Sequence, residues 1–176
     1  LREHGRHFAD AESRPHAAER DETERFPAEL YAKMARLGMF GITVPDELGG
    51  AGADVVAYAH VMEELSRGYS SVADQCGLVE LIGTLLTRYG TPEQLKRLPG
   101  ILAAKTRIAY CLTEAEAGSD RSNVRTAARE TADGYVIDGG KLWIHNAPVA
   151  DLGVVLASTD PAAGHRGMSI FLVDLH

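Results

Sequence analysis

Polar side chains crowd the segment CLTEAEAGSD, from Cys111 to Asp120, directly after an apolar run that reads as a strand. Thr113 and Ser119 supply hydroxyl groups on either side of the acidic residues, and Gly118 interrupts them. A loop of this composition can turn backbone N–H groups and hydroxyls in one direction, which suits phosphates or the carbonyl edge of a flavin. A side-chain-supported turn without a ligand has the same composition, and this segment alone favours neither interpretation.

A second candidate segment is KLWIHN, residues 141–146, which holds the only tryptophan of the chain. The pattern predicts that Trp143 lies in a strand beside His145 and Asn146. A flat aromatic ring next to hydrogen-bonding groups can cover a planar cofactor. A tryptophan in the core of a β-barrel would look the same, and the segment by itself favours that simpler interpretation.

The glycine-rich segment ELGGAGAD, residues 47–54, is a weak candidate for phosphate binding. A dinucleotide fingerprint needs a third glycine, where this sequence has Val55, and it needs a strand–helix–strand unit around it. We therefore expect a tight loop that leads into a helix capped by Asp54.

Two pairs of titratable residues are also weak candidates. His4 and His7 are three residues apart on a predicted helix but have no third metal ligand nearby. Glu63 and Glu64 are adjacent, so a helix points them in different directions, and we expect both on a solvated face.

The elements that must position these residues change in character near residue 105. Helical periodicity, caps and stop signals predict helices over residues 27–38, 54–68, 70–90 and 91–98, with a break at Pro99–Gly100 and a kink at Pro15. Helix 54–68 carries one apolar stripe that begins at Val55, helix 70–90 is apolar nearly all round and is expected at the centre of the bundle, and Thr91 with Gln94 predicts a capping box. Short segments rich in β-branched and aromatic residues then follow, separated by turn residues, with a hairpin-type turn at the Ala-Asp-Gly of residues 132–134. The prediction is an α+β fold: an all-α helical bundle in residues 1–104, then an antiparallel β-barrel-like module in residues 105–176.

Composition sets limits on function. The chain has 176 residues, 45% hydrophobic and 24% charged, and its net charge of −7 argues against a nucleic-acid partner. No apolar run approaches the roughly 20 residues that span a bilayer, and no signal peptide is visible. Cys76 and Cys111 sit in apolar stretches and read as free thiols, which favours a reducing, cytoplasmic compartment. Both ends read as interrupted elements, so we expect a piece of a longer protein.

Taken together, three stretches resemble the acyl-CoA dehydrogenase family of flavoproteins. They are ELYAKMARLGMFGITVPDELGGAGAD, YGTPEQLKRLPGILAAKTRIAYCLTEAEAGSD and DGYVIDGGKLWIHNAPVADLGVVLAST, in that order. The resemblance implies a flavin-binding middle β-domain, a further C-terminal helical bundle absent from this chain, bound FAD, and a homotetramer or homodimer. It also implies α,β-desaturation of an acyl thioester, with hydride transfer to FAD.

Matching the family's motifs residue by residue implies a set of site residues. Thr113 is expected to bond the flavin ring, and Ser119 to lie where the cofactor and substrate sites meet. The catalytic base is unknown and is expected in the C-terminal bundle, and no metal is expected. The implied cofactor-binding residues are Tyr110, Leu112, Thr113, Gly118, Ser119, Trp143, Ile144 and His145.

Three residues depart from the family's pattern. Ala115 stands where proline is usual and Glu116 where a small residue is common, which predicts a more mobile loop. His145 stands where a threonine usually reaches flavin N5; an imidazole can donate a hydrogen bond there, or it can turn aside.

The resemblance also implies partners and leaves alternatives open. The substrate would be an acyl-CoA or acyl-carrier-protein thioester, and the electron acceptor an electron-transfer flavoprotein or a similar protein. The location would be the cytoplasm, or the mitochondrial matrix in a eukaryote. An acyl-CoA oxidase, a flavin monooxygenase of the same scaffold, and a flavin-free binding homologue are the alternatives.

Overall fold

The structure is a computed structural model that describes residues 1–175, so the last residue of the predicted β-domain, His176, lies outside the described residues. The chain divides into two compact units, one from Leu1 to Thr106 and one that begins at Arg107. Within residues 1–175, no helix is both long and apolar enough to cross a membrane.

The first unit is helical. The opening helix passes through a π-helical turn at Ala9–Ser13 and a 3-10 turn at Arg14–His16, where Pro15 removes a backbone donor. The α-helices are α1 Arg2–Phe8, α2 Ala17–Thr23, α3 Ala28–Arg36, α4 Val55–Gly68, α5 Ser70–Tyr89, α6 Pro92–Leu95 and α7 Leu98–Leu102.

Local capping signals explain several helix starts. The Asp54 carboxylate accepts a hydrogen bond from the Ala57 N–H at 2.8 Å, as predicted. Thr91 and Gln94 form a reciprocal capping box ahead of Pro92. The predicted central helix is α5, which packs against α3, α4, α6 and α7 and buries apolar residues along its length.

Two helical predictions were wrong in detail. The Pro99–Gly100 pair does not end a helix, because both residues lie inside α7, where proline fits the first turn. Val55 begins α4 but is 69% exposed, and the buried face of that helix carries Val61 and Leu65 instead.

The prediction of a solvated Glu64 was also wrong. Its side chain is 1% exposed, whereas that of Glu63 is 59% exposed. Glu64 Oε1 accepts from Arg6 at 2.6 Å and from Arg2 at 2.9 Å, and Oε2 accepts from Arg67 at 2.7 Å. Hydrogen bonds from Arg6 and then Arg2 hold the pKa of Glu64 well below its usual range, so this carboxylate links α1 to α4.

The second unit is a five-stranded mixed sheet. Its strands are β1 Ile108–Cys111, β2 Ala127–Thr131, β3 Gly134–Asp138, β4 Leu152–Ser158 and β5 Met168–Asp174. The predicted α+β order is confirmed. The prediction of an antiparallel, barrel-like module needs correction: β4 pairs with β1 in parallel and with β5 in antiparallel, and the described strands do not close.

Strand β4 is the centre of this sheet. Ile108 on β1 pairs with Leu152, and β5 runs back along the whole of β4. The β2–β3 hairpin turns at residues 132–133, at the predicted Ala-Asp-Gly turn, and β2 meets β4 only at Ala127 and Ser158. A parallel pair needs a long connection, and here that connection contains both candidate segments.

Candidate functional site

The segment after β1 forms a tight turn at the end of the strand. Glu114 and Ala117 exchange backbone hydrogen bonds of 2.9 and 3.2 Å, which leaves Ala115 and Glu116 at the tip. Neither tip residue has a positive φ, as expected for a type I-like turn. Beyond the turn, Gly118 and Ser119 are exposed, and a Cβ added at Gly118 would meet no atom within 4 Å.

The tryptophan segment is not a strand, contrary to prediction. Trp143 and Asn146 have left-handed backbones, with φ of +57° and +64°, and such residues cannot continue a sheet. The Asn146 side-chain amide donates to the Ile108 carbonyl oxygen at 3.3 Å, which ties the segment to β1.

The Trp143 side chain is 87% exposed, so it is not a core residue of this unit. An indole in water forgoes the free energy that its burial would supply. The left-handed backbone adds strain, since a bulky residue seldom adopts it. Local packing therefore does not explain why a tryptophan is held in this position.

Backbone and side-chain hydrogen bonds join the two candidate segments. The Leu142 N–H donates to the Thr113 carbonyl oxygen at 2.9 Å. The Lys141 ammonium donates to the Leu112 carbonyl oxygen at 3.0 Å and to a carboxylate oxygen of Glu114 at 2.7 Å. The structure therefore brings the segment after β1 against the start of the tryptophan segment.

Glu114 and Lys141 are the residues that sequence reasoning missed. Their side chains are 5% and 11% exposed. The Glu114 carboxylate also accepts the backbone N–H groups of Arg125 at 2.7 Å and Thr126 at 3.1 Å. Burial by itself would raise the pKa of Glu114, but the bonds from Lys141 and these amides outweigh it and lower the pKa to about 2. The sequence feature that could have identified them is the opposite charge of Glu114 in the first candidate segment and Lys141 in the second.

The sequence-predicted residues occupy these two segments as follows. Tyr110, Leu112 and Thr113 are half-buried at the end of β1, and burial raises the pKa of Tyr110. Ile144 and His145 are half-buried beyond the exposed Trp143. The hydrogen bonds described above hold Leu112 and Thr113, in the segment after β1, close to the start of the segment that carries Trp143.

The weaker candidates carry no site. In the loop before α4, the backbone N–H groups of Ala51 and Gly52 donate to the carbonyl oxygens of Gly41 and Val44, so they are not free to bind phosphate. His4 and His7 are exposed, and residues 1–175 contain no cluster of three histidine, cysteine, aspartate or glutamate side chains that could hold a metal.

The donor set fits a planar cofactor with an acceptor-rich edge. It combines the exposed face of an indole, the hydroxyls of Thr113 and Ser119, and an imidazole at His145. The buried carboxylate of Glu114 is not available as a general base, because it is already committed to an ammonium and two backbone amides.

Comparison with known proteins identifies the family of the chain. Residues 1–105 match the family model described as acyl-CoA dehydrogenase, N-terminal domain, and residues 109–176 match the acyl-CoA dehydrogenase middle domain. The chain spans about half the length of the curated relatives it matches.

Three relatives illustrate the match. A 3-(aryl)acrylate reductase of Clostridium sporogenes is 43% identical over 99% of this chain and 47% of its own length. The short-chain-specific acyl-CoA dehydrogenase of Clostridium acetobutylicum is 42% identical over 99% of this chain and 46% of its own. The subunit CarC of the caffeyl-CoA reductase-Etf complex of Acetobacterium woodii is 39% identical over 99% and 47%.

Solved structures show the same fold. Butyryl-CoA dehydrogenase from Megasphaera elsdenii superposes with a TM-score of 0.92 at 30% identity, covering 99% of this chain and 47% of its own. PigA in complex with FAD gives 0.90 at 29% identity, covering 98% and 46%. The prolyl acyl carrier protein oxidase AnaB gives 0.90 at 26% identity, covering 99% and 47%.

Proposed function

Because this chain belongs to the acyl-CoA dehydrogenase family, we propose that its second unit is the flavin-binding middle domain of an FAD-dependent acyl-thioester dehydrogenase. The observation that carries the proposal is the exposed Trp143, held against the polar segment after β1 by the Leu142–Thr113 bond. An exposed, anchored aromatic ring on a segment joined to one that carries hydroxyl groups provides a surface for a flat cofactor.

The proposed roles follow from the chemistry of the side chains. FAD, when bound, supplies the hydride acceptor for desaturation of the Cα–Cβ bond. Thr113 and Ser119 would hold the ring by their hydroxyls, with Ser119 also next to the thioester, and Trp143 and Ile144 would cover the ring. Tyr110, Leu112, Gly118 and His145 complete the proposed cofactor site.

The base that removes the α-proton lies outside this chain in our proposal. Glu114 is unsuitable, because a carboxylate with a pKa of about 2 and three committed hydrogen bonds has little affinity for a proton at neutral pH. Glu116 lies exposed at the tip of the turn. A carboxylate from the C-terminal bundle of the family would fill this role.

Purification of the complete protein tests the proposal. We expect a yellow protein that releases FAD on denaturation and whose flavin is bleached by an acyl-CoA under anaerobic conditions. The Trp143→Ala variant should bind FAD more weakly, while the exposed aromatic control Tyr89→Ala should not. A colourless protein that binds no added FAD would contradict the proposal and would favour a flavin-free binding homologue.

His145 leaves one alternative open. An imidazole in place of the usual threonine changes the hydrogen-bonding group near the flavin, and an oxidase is among the solved structures of this fold. Rapid reoxidation of the reduced protein by air would favour an acyl-CoA oxidase or monooxygenase. Slow reoxidation with turnover in the presence of an electron-transfer flavoprotein would favour the dehydrogenase, as the CarC relative's complex with Etf suggests.

We further propose that His145 contacts the flavin and tunes its reduction potential. A protonated imidazole would favour the anionic reduced flavin, so the potential should depend on pH more steeply than in His145→Thr. Identical pH dependences of the two potentials would refute this role.

The carrier of the acyl group and the assembly are part of the same proposal. We propose a coenzyme A thioester as substrate, with an acyl-carrier-protein thioester as the alternative, and a homotetramer or homodimer. Turnover with matched coenzyme A and carrier-protein thioesters would distinguish the substrates, and sedimentation of the complete protein would give the oligomeric state.

A further inference from the structure

A buried ion pair lies where the two candidate segments meet. The carboxylate of Glu114 and the ammonium of Lys141 are 2.7 Å apart, with side chains 5% and 11% exposed. The carboxylate also binds the backbone amides of Arg125 and Thr126, and the ammonium binds the carbonyl oxygen of Leu112. The pair therefore ties together the end of β1, the turn at 114–117, the approach to β2 and the start of the tryptophan segment.

A buried ion pair is a poor way to obtain stability alone. Desolvation of both charges offsets most of their attraction, and apolar residues of similar volume often stabilise a fold as well or better. The pair instead fixes geometry, because the carboxylate accepts hydrogen bonds from defined amides and the ammonium donates one to a defined carbonyl oxygen. Its structural consequence is a fixed relative position of the segments it joins.

The positions of the exposed residues of the site depend on the way these segments are held together. Gly118, Ser119 and Trp143 are exposed, so packing contributes little to their positions. The turn that precedes them has Ala115 at its second position, where proline would restrict the backbone. Order in these residues must therefore come from hydrogen bonds at the base of the segments, and those bonds centre on Glu114 and Lys141.

We propose that Glu114 and Lys141 are positioning residues that hold residues 112–119 and 141–145 in the cofactor-binding arrangement before FAD binds. This inference rests on the proposed function, because FAD is the ligand. Neither side chain needs to touch the flavin. Their contribution is preorganisation, which raises affinity by removing the entropic cost of ordering the loops on binding.

The test compares FAD affinity and backbone order in variants of the complete protein. Glu114→Gln and Lys141→Met each remove one charge, and the double variant removes both. Arg107→Gln is the matched control, because it disrupts the Arg107–Asp151 ion pair of the same unit, whose side chains are 39% exposed. FAD is removed, the dissociation constant is measured by titration with FAD, and amide hydrogen exchange is measured in the FAD-free protein.

We expect each single variant to weaken FAD binding by about tenfold, and the double variant to weaken it no more than the worse single variant, because the two residues act as a unit. Exchange in the FAD-free protein should accelerate more in residues 112–119 and 141–145 than in β4, whose exchange reports the stability of the whole unit. The control variant Arg107→Gln should change neither the FAD dissociation constant nor the amide exchange of these residues. Ala115→Pro should restore part of the affinity of Glu114→Gln, since it orders the same turn by another route.

The outcomes separate the two proposals. If the wild-type protein binds no FAD, the proposed function fails. If the wild-type protein binds FAD and the variants match it in dissociation constant and loop exchange, the positioning role is refuted while the function stands. Loop exchange that accelerates no more than β4 exchange, or an equal loss of FAD affinity in Arg107→Gln, would also refute it, because the pair would then act only on global stability. Should Glu114→Gln fail to fold, Lys141→Arg, which keeps the charge, replaces it and should bind FAD more tightly than Lys141→Met.

Discussion

The buried carboxylate of Glu114 should make the stability of the second unit depend on pH. Its pKa is about 2 in the folded protein, against an ordinary value of 4.5. The folded state therefore releases the proton more readily than the unfolded chain does. Stability is present above the unfolded pKa and is lost as pH falls through the folded one. The window for this loss is pH 4.5 down to about 2.

The size of the effect follows from the same difference. Each pH unit between the two pKa values corresponds to 1.36 kcal/mol, so ionised Glu114 stabilises the second unit by about 3 kcal/mol at pH 7. At pH 3 roughly half of this contribution should remain. Glu114→Gln resembles the protonated state at every pH. The unfolding free energy of the variant should therefore be about 3 kcal/mol lower than that of wild type at pH 7, and the two should converge as the pH falls.

Hydrogen exchange of the β4 amides, Leu152–Ser158, provides an assay that reports on this unit. The free energy of unfolding is measured at pH 7, 5, 4 and 3 for wild type, Glu114→Gln and Glu116→Gln. The last is the control, because Glu116 lies in the same turn but is exposed, and it should follow wild type. A difference in unfolding free energy between wild type and Glu114→Gln that stays constant from pH 7 to pH 3 would refute the reasoning.

Three further predictions concern other parts of the chain. Gly41→Ala should destabilise the first unit by about 2–4 kcal/mol in urea unfolding, because φ is +73° and the new Cβ would lie 2.6 Å from Leu102 Cδ2. Gly38→Ala, with φ of +69° and open space, should cost only about 1 kcal/mol, and equal losses would contradict the packing argument. Ala115→Pro should raise the unfolding free energy of the second unit by about 0.4–1 kcal/mol, and a lower value would show that the turn is not type I-like. The buried thiol of Cys76, whose pKa burial raises to about 12, should be alkylated at pH 8 at least ~100-fold more slowly in the folded protein than in urea, and similar rates would refute its burial.

The features that the sequence predicted well are those formed by near neighbours. Asp54 caps a helix through an amide three residues ahead, and Thr91 and Gln94 complete their capping box within one turn. The β2–β3 hairpin likewise needs only its own turn. In these cases the residues that interact are close in sequence, so composition and spacing carry most of the information.

The features that were missed depend on distant partners. Glu64 looked like half of a solvated pair, but Arg2 and Arg6, about 60 positions earlier, enclose it. The parallel pairing of β1 with β4 joins residues more than 40 positions apart, and an alternation pattern does not indicate strand direction. Local periodicity assigns an element, but its burial and its neighbours are decided by the rest of the fold.

The tryptophan segment shows why its local structure could not be predicted from its own residues. The alternation in KLWIHN is typical of a strand, yet Trp143 has φ of +57° and its side chain is 87% exposed. The bonds that produce this conformation come from outside the segment, from the Thr113 and Ile108 carbonyl oxygens. Strain and lost burial both oppose this arrangement within the unit, and strained residues cluster at functional sites. The feature that made the strand prediction wrong is therefore the one that most strongly favours a ligand at this position.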